Sequence, residues 1–179
     1  MVLIDTNVLL DILEDDPEWA AWSQDQLDAA AATDSLAINP IIYSELSMAF
    51  ARIEELDTVI EEASLNIEAI PKEALFLAGK AILTYRKSKG TKQNVLPDFF
   101  IGAHAAIMQW PILTRDVGRY RTYFPTVRLI TPKNVSASGS PHRQARKAQN
   151  HDHNPHRAPT SNIRTHRDAG NTGEGRRAL

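Results

Sequence analysis

Four carboxylates stand where apolar segments of this chain start, stop or turn inward: Asp5, Glu45, Asp98 and Asp116. They come from four separate stretches, and each is set among residues that read as core. A buried carboxylate is costly unless it is paired or holds a metal. Four of them suggest one metal-binding cluster. Ligation by carboxylate oxygens suits hard divalent ions such as Mg²⁺ or Mn²⁺. Mg²⁺ keeps several waters and commonly binds phosphate oxygens too, so the chemistry expected is metal-assisted hydrolysis of a phosphodiester.

The elements that must position these acids read as α/β. Val2–Ile4 is a short buried strand that ends at Asp5. Residues 17–31 have helical spacing, with Pro17 near the start and Trp19, Trp22 and Leu27 apolar. Leu36–Ile38 is a second strand. Asn39-Pro40 then opens a helix, as an N-cap followed by proline at the first helical position. Residues 53–63 form another helix and Asn66–Ala69 a strand. Pro71 starts a helix running to about Lys87, and a Lys/Gly-rich loop follows. Pro97 starts the next helix, to about Gln109. Pro111–Leu113 and Val127–Ile130 are the last strands. Short apolar strands alternating with helices imply a central parallel sheet covered on both faces.

In such sheets ligands gather outside the carboxyl ends of the strands. Asp5 follows the first strand, and Asp116 lies just past Ile112–Leu113. Asp98 falls in the first turn of a helix, where the macrodipole favours negative charge. At about 100° per residue, Glu45 projects between Ile41 and Ala49, close to Ile42. That places an acid in the middle of an apolar helix face.

The chain has 179 residues and no cysteine, so thiolate metal sites, thiol nucleophiles and disulfides are excluded. A reducing cytoplasm fits that usage. The N-terminal run MVLIDTNVLLDIL lacks a basic n-region. It is too short and too charged for a membrane span. The net charge of −2 hides an asymmetry. Residues 1–132 carry 11 Lys/Arg and 19 Asp/Glu, a balance of −8, whereas 133–179 carry 9 and 3, a balance of +6. The second stretch is rich in Ser, Asn, Gly, Pro, His and Arg and poor in large apolar residues. It is expected to be a disordered tail, with 1–132 as the folded domain.

Four motifs lead to a family. Ile4-Asp5-Thr6-Asn7, Tyr43-Ser44-Glu45-Leu46, Leu96-Pro97-Asp98 and Leu113-Thr114-Arg115-Asp116 occur in this order. Together they resemble the PIN-domain ribonucleases, above all the VapC-type toxins of bacterial toxin–antitoxin modules. The resemblance covers roughly residues 1–130; the stretch after Pro132 matches worst. It implies a PIN-like fold and an Mg²⁺- or Mn²⁺-dependent endoribonuclease, commonly a homodimer, that is inhibited by a cognate antitoxin. It implies Asp5 and Asp98 as leading metal ligands and Glu45 and Asp116 as completing the catalytic cluster. Thr6, Asn7 and Thr114 would be their hydrogen-bonding supports.

Other residues read more plainly. Asp11, Glu14, Asp15 and Asp16 look like a solvated acidic loop, with Asp11 near enough to flank the site. His104 reads as a core histidine, and Trp19, Trp22 and Trp110 as core or dimer contacts. HDHNPH at 151–156 is a weak metal motif in a polar tail. A domain at −8 repels RNA at long range. Arg86, Lys87, Lys89 and Lys92, or Arg115, Arg119 and Arg121, are the basic sets placed to offset that repulsion. A HAD-type phosphatase also carries an acid after its first strand. It needs a second aspartate two residues on, where this chain has Asn7. The remaining rival is a catalytically inactive PIN-like module that binds RNA or a protein.

Overall fold

A computed structural model of the chain describes residues 1–88 and 95–132. The expected tail, the HDHNPH motif, Lys89 and Lys92 lie outside the described residues. The described chain forms seven α-helices around a five-stranded sheet, in the order β1 (Val2–Ile4), α1 (Thr6–Leu13), α2 (Ala20–Ala31), β2 (Leu36–Ile38), α3 (Pro40–Leu46), α4 (Ile53–Glu62), β3 (Leu65–Ile67), α5 (Lys72–Lys87), α6 (Leu96–Met108), β4 (Ile112–Leu113), α7 (Gly118–Tyr123) and β5 (Leu129–Ile130). A 3₁₀ turn, Ser47–Ala49, prolongs α3.

The sheet runs β3-β2-β1-β4-β5, and every pairing is parallel. β1 is central, with Leu3 opposite both Ala37 of β2 and Ile112 of β4. The chain builds outward from β1 in one direction through β2 and β3. It then returns to the other side of β1 with β4 and β5. That reversal makes the carboxyl ends of β1 and β4 the switch point of the sheet, the place where such folds hold ligands. Backbone pairing carries the sheet one residue further there: Asp5 N–H donates to the Leu113 carbonyl at 3.0 Å and Thr114 N–H to Ile130 at 3.0 Å.

The three inner strands β1, β2 and β4 are buried apolar runs, as parallel strands covered by helices must be, while the edge strands β3 and β5 are partly exposed. Leu3, Ile4, Ile38, Ile42, Phe99 and Ile112 are fully buried. Each contributes roughly 1.5–3 kcal/mol relative to an exposed position. Tyr85, Phe99, Tyr123 and Phe124 form an aromatic cluster that ties α5, α6 and α7 together.

Several expectations shift. The apolar run after Asp5 is a helix, α1, to which the sequence reading assigned no element. The helix expected over 17–31 begins only at Ala20. Before it, the Asp16 carboxylate accepts from the backbone N–H groups of Glu18 and Trp19 and closes a turn around Pro17. β3 sits one residue earlier than expected and is shorter, and β5 is confined to Leu129–Ile130. The start at Asn39 holds: its side chain accepts from the N–H groups of Ile41 and Ile42, at 3.0 Å each.

Candidate active site

Asp5 is at once the residue after β1 and the N-cap of α1. It is 3 % exposed. Its Oδ1 accepts from Thr6 N–H at 2.9 Å. Its Oδ2 accepts from the Asn7 amide and from the Thr114 hydroxyl, both at 2.7 Å. Burial pushes the Asp5 carboxyl up to about 6. The Thr114 and Thr6 hydrogen bonds oppose that rise, and the charge of Glu45 adds to it.

Glu45 reaches this centre through Thr6, whose hydroxyl donates to its Oε2 at 2.6 Å. The expectation of an acid in the middle of an apolar face needs correction. Ile42 and Leu46 are buried, but Glu45 is only half-buried, and α3 ends at Leu46 before Ala49 can extend that face. Glu45 lies at the rim of the helix face, beside α1.

Thr114 links Asp5 to Asp116. Its hydroxyl oxygen accepts from Asp116 N–H at 3.0 Å, and Asp116 Oδ1 accepts from Gly118 N–H at 3.2 Å. Asp98, in the first turn of α6, pairs with the Arg119 guanidinium, which also stands 3.8 Å from Asp116 Oδ2. A continuous path thus joins all four acids: Glu45, Thr6, Asp5, Thr114, Asp116, Arg119 and Asp98.

The donor set suits a divalent cation in kind. It is all oxygen and carries surplus negative charge, and where Asp98 and Asp116 approach each other a cationic side chain already stands between them. It is not a closed cage. Among the described residues no three His, Cys, Asp or Glu side chains converge to hold a metal ion. Cavities of about 260 Å³, beside Tyr43, Phe50 and Leu56, and about 730 Å³, beside Asp28, Asp34 and Asn66, include none of the four acids. The acids form an open rim instead.

Three features escaped the sequence reading. Asp11 is no loop residue: it is 2 % exposed on α1, paired with Arg115 at 2.7 Å, and accepts from Ser23 at 2.9 Å. Arg115 also lies over the Trp19 ring, 5.5 Å from its centroid, and its backbone N–H donates to Asn7 Oδ1 at 3.3 Å. Arg115 and Arg119 therefore turn inward onto acids rather than forming an outward basic rim. Reading α1 as a helix would have given the signal for Asp11, one turn from Asn7 and Val8 on an inward face. Tyr120 is buried beside Asp5, and its hydroxyl closes no hydrogen bond of ordinary geometry. Burial, then the charge of Asp5, holds that phenol well above its usual range. His104 is buried as expected. Its Nδ1 lies 3.4 Å from the Asn39 amide, and Nε2 has no partner among the described residues. Burial lowers its pKa.

The sequence matches the PIN domain family over residues 2–125, and the chain belongs to that family. Members are typically nucleases. The fold is similar to that of VapBC2 from Rickettsia felis, solved bound to a DNA fragment from the promoter: 18% identity, TM-score 0.57, over 73% of this chain and 98% of that one. It is also similar to FitAcB from Neisseria gonorrhoeae, at 18% identity and TM-score 0.55, over 75% and 100% of the two chains. VapBC-1 from nontypeable Haemophilus influenzae gives 19% identity and TM-score 0.55, over 73% and 98%. No curated protein sequence matches this chain. Among the described residues no helix is long and apolar enough to cross a membrane.

Proposed function

We propose that the protein is a metal-dependent endoribonuclease acting as the toxin of a toxin–antitoxin module. The observation that carries this reading is the path joining Glu45, Asp5, Asp116 and Asp98 at the switch point of the sheet. Asp5 and Asp98 are the residues to hold Mg²⁺ or Mn²⁺, with Glu45 and Asp116 completing the charge around it. A bound divalent ion supplies counter-charge to the scissile phosphate and lowers the pKa of a water.

The chain's own part is positioning. Thr6, Asn7 and Thr114 fix the Asp5 carboxylate from three sides, so little rearrangement is needed when substrate arrives. Glu45 and Asp116, less buried, are placed to orient the attacking water and take its proton. RNA is the substrate. A cognate antitoxin and a second copy of the chain are the partners. Large apolar side chains left exposed on α5 (Leu75, Phe76 and Leu83) and beside α3 and α4 (Met48 and Ile53) are surface such partners would cover.

Expression of the protein and of Asp5→Asn tests the reading. Unmutated protein should arrest growth and cut cellular RNA with Mg²⁺ or Mn²⁺. Asp5→Asn should lower cleavage by at least about 100-fold, as expected for loss of a preorganised charge. Cleavage untouched by Asp5→Asn would remove Asp5 from the chemistry. No cleavage by the unmutated protein would favour the binding-module reading.

A further inference from the structure

Arg119 lies in the first turn of α7 and turns its guanidinium onto Asp98, from α6, and toward Asp116, from the loop after β4. Among the described residues no other cation pairs with either acid. The contrast with Arg115, four residues earlier, is informative. Arg115 meets a buried partner, Asp11, and packs over Trp19, so its pair is locked into the fold. The two arginine side chains are equally exposed, at 32% and 33%, but their partners differ: Asp11 is at 2%, Asp98 and Asp116 at 22% and 45%, and the more solvated pair is the weaker and more exchangeable one. Its long stem starts in the first turn of α7, a helix of six residues.

The carboxylates that Arg119 holds are those that would have to face a divalent ion. A guanidinium and a doubly charged ion cannot share them without strong repulsion. We propose that Arg119 is a built-in counter-cation of Asp98 and Asp116. It offsets part of their charge in the metal-free protein and must leave them for a divalent ion to load, so it sets the metal concentration at which the site fills. This inference rests on the metal-dependent reading above.

The test uses the full chain with Mn²⁺ alone, in wild type, Arg119→Gln, Arg119→Lys and Asp98→Asn. By calorimetry Arg119→Gln should bind Mn²⁺ roughly fivefold more tightly than wild type, the scale set by losing one exposed pair. Arg119→Lys, which keeps the charge, should stay within about twofold. In chelator Arg119→Gln should melt below wild type, because Asp98 and Asp116 then repel each other. On adding Mn²⁺ it should gain more than wild type does. Equal or weaker Mn²⁺ binding by Arg119→Gln overturns the proposal. Should that variant not fold, the wild type suffices: the side-chain nitrogen signals of Arg119 must shift on titration with Mg²⁺, and signals that stay put overturn it as well. Wild-type binding that Asp98→Asn removes and Arg119→Gln does not sharpen defeats this proposal alone. No binding by wild type defeats the metal reading and the proposal with it.

Discussion

Asp5 is buried and receives hydrogen bonds from Thr6, Asn7 and Thr114, whereas the Asp116 side chain is 45% exposed and shares with Asp98 a single arginine. The first arm of the rim is fixed by backbone: a strand end, a helix cap and the sheet switch point coincide at one residue. The second depends on how α6, α7 and the loop after β4 pack together, and charge holds it. Burying a carboxylate opposes folding, and hydrogen bonds only partly offset that. The pair at Arg119 adds little to stability but adjusts easily. One arm is thus preorganised at a cost in stability, and the other is cheap and movable.

The largest expected effect tests the cost of the first arm. The Asp5 carboxyl sits at about 6 in the fold against 3.8 as its ordinary value. A raised carboxyl pKa means that between about pH 4 and 6 the folded protein binds more protons than the unfolded chain. Stability therefore falls as pH rises through that window, and the loss is complete above about 6. The difference corresponds to about 3 kcal/mol. Urea unfolding in chelator should show wild type losing most of that, about 2 kcal/mol, relative to Asp5→Asn between pH 4 and 6.5. A gap that stays constant across the window would mean that burial of Asp5 carries no such cost.

A smaller effect is expected in the second arm. Gly102 of α6 lies under Phe124, and a Cβ there would run into the Cδ2 and Cε2 edge of that ring. Gly102→Ala should destabilise by about 2 kcal/mol through overpacking. It should also shift α7 on α6, disturbing Arg119 and Asp98 while leaving the Asp5 hydrogen bonds intact. Equal disturbance of both arms, seen in amide and side-chain chemical shifts, would erase the distinction between them.

The smallest effect sharpens the link to Glu45. Thr6→Val keeps the shape and removes the hydroxyl that donates to Glu45. A loss of about 1 kcal/mol in unfolding free energy is expected. No change in stability would detach Glu45 from the first arm.

Much of the fold and part of the site were readable from sequence, for reasons that differ by residue. β1, β2 and the helix start at Asn39-Pro40 follow from short apolar runs and a capping pair, both local signals. The order of the four acidic motifs carried the family, as the match over residues 2–125 bears out. α1 was missed because its residues continue the apolar run of β1, and nothing in that run marks the turn except Asp5 itself. Asp11 was missed with it. The inward turn of Arg115 and Arg119 has no local signal at all. It depends on how closely α1, α6 and α7 approach, which side-chain volumes such as the bare Cα of Gly102 decide.

The Thr114 hydroxyl gives the rim a polarity. A hydroxyl has one hydrogen and two lone pairs. Here the hydrogen goes to Asp5 Oδ2, and the lone pairs face the Asn7 amide at 3.2 Å and the Asp116 N–H at 3.0 Å. The Asp116 carbonyl, 3.3 Å away, is left unserved while that hydrogen points at Asp5. From Asp116 through Thr114 to Asp5, both donors face toward the buried carboxylate. Neutralising Asp5 weakens its hold on that hydrogen and brings the Asp116 carbonyl into competition for it, so one rotating bond couples the charge of Asp5 to the loop bearing Asp116.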